Sequence, residues 1–112
     1  MASQVIVDQA LFTSQTTSGF TAYFPDSLNG QYLEFTVYVD FDHTSAAGVV
    51  TIETASRADY AGTWASIGTV TWAAIDKQHY ISVAGTFKSV RARISTTVTS
   101  GTCNAWLIAS ST

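Results

Sequence analysis

Apolar residues in this chain alternate with polar ones in short runs, and nowhere do they recur at helical spacing for three turns. The clearest run is "YLEFTVYVDF", Tyr32–Phe41, which puts Leu33, Phe35, Val37, Val39 and Phe41 on one face and Glu34, Thr36, Tyr38 and Asp40 on the other. Thr, Val, Ile, Tyr, Phe and Trp dominate such runs, and Gly, Asn, Asp and Ser separate them. The pattern predicts strands over Gln4–Phe12, Gly19–Phe24, Tyr32–Phe41, Gly48–Thr54, Thr63–Trp72, His79–Val83, Ser89–Ser95 and Thr102–Ser110. About eight strands at this spacing read as an all-β, single-domain antiparallel β-sandwich or jelly roll.

A length of 112 residues suits one domain over 1–112, with 1–12 open to being a core edge strand or an arm reaching a neighbour. Turn chemistry divides the runs. Asn29-Gly30 predicts a hairpin between the second and third strands, and the polar loops "SRADYAGT" and "TTVTSGT" predict two more. Hydrophobic residues make up 46% of the chain and charged residues only 12%, so its surface must be built largely from Ser, Thr, Ala and Gly. That surface suits a body packed among other bodies.

The net charge is −3, and no Lys/Arg cluster tracks a phosphate backbone, which argues against nucleic-acid binding. No segment approaches the ~20 apolar residues of a membrane helix, and the N-terminus lacks the cationic and apolar regions of an export signal. Cys103 stands alone, with no partner for an intrachain disulfide, and reads as a small buried hydrophobe of a protein made in a reducing cytoplasm.

No glycine-rich phosphate loop, nucleophile elbow or zinc-helix motif occurs, so the sequence predicts neither an enzyme nor a bound cofactor. In "DFDH", Asp40, Asp42 and His43 supply too few oxygens for Ca²⁺ by themselves and read as a solvated strand end. His79 reads as an exposed histidine at a strand start. No metal site is expected.

The residues left to carry function are cationic and aromatic. In "FKSVRARIS", Arg91 and Arg93 share one strand face while Val90, Ala92 and Ile94 enter the core. Cross-strand pairing with Glu34 or Asp40 is the first expectation for these arginines, and pairing with a neighbouring protein is the second. Trp64, Trp72 and Tyr60 are candidates for an interface, with sugar stacking as the alternative use of such rings. Trp64 and Trp72 fall on one face of a strand whose two faces are both mixed. Around Trp106 both faces look apolar, which predicts a strand covered on two sides.

From Gly48 onward, "VTIETAS", "GTWASIGTVTW", "HYISVAGTFKSVRARIS", a Ser-Gly turn and "CNAWLIAS" follow one another in an order that resembles the small β-sandwich structural proteins of tailed bacteriophages. The resemblance implies a virion component made in the host cytoplasm, foremost a head decoration or cement protein on the outer capsid surface. Its implied partners are the major capsid protein and further copies of itself, often as a trimer. A tail or fibre-associated module and a carbohydrate-binding module are the alternatives. The resemblance brings no catalytic residues.

Overall fold

In a computed structural model, which describes residues 4–28, 30, 32–74 and 78–111, the chain is all-β. Its strands are β1 (Gln4–Gln15), β2 (Thr21–Tyr23), β3 (Tyr32–Phe41), β4 (Ala47–Ala55), β5 (Ala65–Thr71), β6 (His79–Thr86), β7 (Ser89–Thr99) and β8 (Cys103–Ser111). They form two four-stranded sheets, ordered β1-β8-β3-β6 (sheet A) and β2-β7-β4-β5 (sheet B), with every pairing antiparallel.

Pairing is nested: β4 with β5, β3 with β6, β2 with β7 and β1 with β8. A long hairpin of such pairs rolled over on itself is a jelly roll, the fold expected from strand number and spacing. The two sheets press their inner faces together around Phe35, Val37, Val39, Val50, Ile52, Ile94 and Leu107, each at most 2% exposed. The predicted alternation of β3 holds at every position, because both of its neighbours lie in sheet A and only one face meets the core. Edge-to-face rings at Phe12–Phe20, Phe24–Phe35 and Phe35–Phe87 join the core to the connections.

Only one of the three expected hairpins forms, the β4–β5 connection. β2 and β3 lie in different sheets, so the segment after Pro25 crosses the sandwich instead. A 3-10 turn at Asp26–Leu28 buries Leu28, and Gly30 supplies a φ of 84°, while Asn29 lies outside the described residues. β7 runs on to Thr99 through most of the expected "TTVTSGT" loop, and the corner at Ser100 and Gly101 leads to sheet A rather than back along sheet B.

The mixed faces of β5 come from a bulge. Ile52 is opposite Gly68 and Glu53 opposite Ser66, which leaves Ile67 as the extra residue and moves it toward the core three positions from Val70. His79 is buried, contrary to expectation. Its Nε2 accepts from the Ala73 N–H at 3.0 Å and its ring meets Phe41 edge-on, so this strand start is tucked under a connection. β8 is covered on one face only: Cys103, Ala105, Leu107 and Ala109 enter the core, while Trp106 is 45% exposed on the outer face of sheet A. Cys103 is fully buried, as expected, and burial pushes its thiol up to about 11.

Candidate functional site

The outer face of sheet B is built by β2, β7, β4 and β5, and the first three of these meet around two arginines. Since Val90, Ala92 and Ile94 fill the core, Arg91 and Arg93 must project outward, as the sequence predicts. Their partner is not the expected one. Glu34 and Asp40 belong to β3 in sheet A, whereas antiparallel register sets Glu53 of β4 directly opposite Arg91. Arg91 Nε donates to Glu53 Oε1 at 2.8 Å, and Arg93 clamps the same carboxylate through Nε and Nη2 at 3.1 and 2.9 Å.

One carboxylate therefore holds two guanidiniums, and the triad keeps a net positive charge. Its side chains are 5% exposed for Glu53, 17% for Arg91 and 32% for Arg93, so the positive edge that reaches solvent belongs mainly to Arg93. Burial alone would raise the Glu53 carboxyl, but the hydrogen bonds from Arg93 and Arg91 outweigh it and hold the group below the usual carboxylate range. The same contact with Glu53 raises the Arg93 guanidinium.

Trp64 closes the cluster. The Arg91 guanidinium lies over its ring, and Tyr23, opposite Arg91 on β2, meets it edge-on at 5.9 Å. The indole Nε1 donates to the Tyr60 carbonyl at 3.0 Å, which ties the β4–β5 loop to the sheet. In that loop Arg57 sits over the Tyr60 ring and pairs with Asp59. The fold thus brings together four of the five candidate interface residues, Arg91, Arg93, Trp64 and Tyr60.

Their exposures assign different tasks. Trp64 is only 4% exposed, so it supports Arg91 and cannot serve as an open stacking platform. Tyr23 and Tyr60, at 52% and 37%, form the accessible aromatic surface. Trp72 does not join them; it packs against the core, and its buried indole N–H has no hydrogen-bond partner among the described residues.

Sequence reasoning missed Glu53 and a second surface. Glu53 alternates with the core positions Val50 and Ile52, a signal of outward projection, but only the β4–β7 register connects it with the arginines. On the outer face of sheet A, Trp106 of β8 stands opposite Tyr38 of β3, and Tyr38 opposite Tyr80 of β6, forming one exposed row across three strands. At the end of β3, Asp42 accepts from the Thr44 N–H and hydroxyl, which lowers its carboxyl and makes this a capped turn. No group of three or more His, Cys, Asp or Glu side chains able to hold a metal occurs among the described residues.

No family model matches the chain. No curated protein matches it. Among solved structures it is similar to one from Bacillus endospore appendages, described as a novel family of disulfide-linked pili, at 12% identity and a TM-score of 0.49, covering 97% of this chain and 84% of that one.

Proposed function

We propose that this protein is a non-enzymatic structural component of a virion, a decoration or cement protein that binds the outer capsid surface and reinforces contacts between capsomers. The observation that carries this reading is the cluster on sheet B, where Arg93, Tyr23 and Tyr60 reach solvent from a base fixed by Glu53, Arg91 and Trp64. Tyr, Trp and Arg are the residue types that dominate binding hot spots. A patch already held by ion pairs and ring contacts loses little side-chain freedom on docking. Its net positive edge suits a partner surface that is acidic, and the order of motifs from Gly48 onward resembles that of phage structural proteins.

Reinforcement of a shell requires area and copy number rather than chemistry. An interface on the order of 1,000–2,000 Å², repeated over many copies, adds substantially to the stability of a lattice, and a trimer multiplies the effect by avidity. The test is co-sedimentation of the purified protein with virus particles of the system that encodes it. A Tyr23→Ser/Arg57→Ser variant removes exposed groups while leaving the Glu53 triad in place. Wild-type protein pellets with particles and the variant stays in the supernatant. Equal pelleting of both proteins, or failure of the wild type to pellet, contradicts the reading.

A further inference from the structure

We infer that the opposite face of the molecule, the outer face of sheet A, is a binding platform for a neutral linear glycan, laid across the row Trp106–Tyr38–Tyr80. These residues are 45%, 36% and 60% exposed and come from three adjacent strands in direct register. Neighbouring strands lie ~4.8 Å apart, a step comparable to the length of one pyranose unit, so each ring can underlie a successive sugar. Tyr38 and Tyr80 are 5.9 Å apart between centroids and tilted by 40°, so the two rings lie side by side without stacking face to face. Trp106 is held in place, because its Nε1 donates to Asp8 on β1. The platform is thus formed before any ligand arrives.

The row is flanked by groups suited to hydroxyls. On one side lie Thr36 and Ser82, whose hydroxyls are 2.7 Å apart, and beyond them Glu34, Ala84 and Ser110. Together with Ile108 they line an open depression of about 290 Å³ beside the row. On the other side Asp40 stands opposite Asn104. The carboxylates of Glu34 and Asp40 make no ion pair or side-chain hydrogen bond among the described residues, so both are available to accept from vicinal hydroxyls. Stacking of apolar C–H faces on rings, with polar groups at the rim, is the chemistry that recognises a sugar.

Charge and area select among occupants. No strand of sheet A contains a lysine or arginine, while Asp8, Glu34 and Asp40 all lie on this face, so polyanions are repelled. A second copy docked by the same face would bring two acidic faces without a lysine or arginine on their strands together. The three half-exposed rings offer only about 300 Å² of aromatic surface, given 150–250 Å² for a whole ring. A stable protein interface needs about 800 Å² per partner. A chain of sugars one ring wide matches the row better.

The test is native affinity electrophoresis of the full chain in gels containing hydroxyethyl-cellulose, β-1,3-glucan, glucomannan, amylose or glycol chitin, with dextran sulfate as the anionic control. Tyr80 is the most exposed of the three residues, so Tyr80→Ala preserves the fold, and Tyr80→Phe preserves the ring. The expected result is retardation by at least one neutral polysaccharide, lost in Tyr80→Ala and retained in Tyr80→Phe and in Tyr23→Ser/Arg57→Ser. Retardation by none of the neutral polymers, or retardation that Tyr80→Ala leaves unchanged, overturns the inference. Concentration-dependent self-association abolished by Tyr80→Ala, without polysaccharide binding, also overturns it and assigns the row to a second copy. The particle-binding reading rests on sheet B and stands or falls separately.

Discussion

The guanidinium carbon of Arg91 lies 4.2 Å from the centroid of the Trp64 ring, while Arg91 Nε donates to Glu53 at 2.8 Å. A cation on an outer sheet face is thereby almost removed from solvent by one ring and one carboxylate. Trp64 also anchors the β4–β5 loop through its indole N–H, so it couples the loop to the charged cluster. Trp64→Ala should destabilise the fold by about 3 kcal/mol, as truncation of buried aromatics does, and Trp64→Phe by clearly less. Urea midpoints for the two variants give the comparison; equal losses would show that the indole's packing is not what matters.

Glu53 is the only carboxylate in contact with either arginine among the described residues. Glu53→Gln leaves two guanidiniums close together with no compensating charge, at a cost of about 3 kcal/mol. For a domain of this size that corresponds to roughly 10–20 °C in Tm. Thermal unfolding followed by near-ultraviolet circular dichroism measures the shift, and a drop of less than a few degrees would mean that solvent screens the triad.

Acid should weaken the wild type through the same residue. The Glu53 carboxyl in the folded chain lies below its ordinary value of 4.5, because hydrogen bonds from Arg93 and Arg91 outweigh burial. A depressed carboxylate contributes stability that is fully present above the unfolded value and lost as pH falls through the folded one. The stability difference between wild type and Glu53→Gln should therefore be constant from pH 7 down to about 5 and shrink below 4.5. Urea titrations of both proteins at each pH reveal it; a difference that grows toward acid would reverse the assigned sign.

Cys103 combines full burial with a thiol pushed up to about 11, so at pH 8 neither access nor ionisation favours reaction. Labelling by a thiol-reactive disulfide should be negligible in the folded protein and become rapid only across the urea transition. Fast labelling without denaturant would place the thiol at an open surface.

The fold was legible where a strand's pattern depends only on which face meets the core. β3 shows this, and its bounds and buried set follow from alternation alone. What escaped was partnership between distant strands. Asn29-Gly30 and "TTVTSGT" carry turn chemistry, but that chemistry does not say whether a chain doubles back within its sheet or crosses to the other. For the same reason Arg91 and Arg93 were correctly assigned to an outer face but matched to Glu34 or Asp40 in place of Glu53. Local acidity is visible in a sequence, whereas the β4–β7 register is not. The Trp106–Tyr38–Tyr80 row is a juxtaposition of three remote segments, and each of its members alone looks like an ordinary strand aromatic.

A capsid decoration protein, as proposed for this chain, is an accessible part of the virion surface. The most direct measurement is electron microscopy of purified virus particles from the encoding system, labelled with a gold-tagged antibody to this chain. Gold distributed over the heads is the expected result. Gold confined to tails would contradict the capsid role and move the protein to tail assembly or adsorption, and unlabelled particles would contradict a virion-surface role.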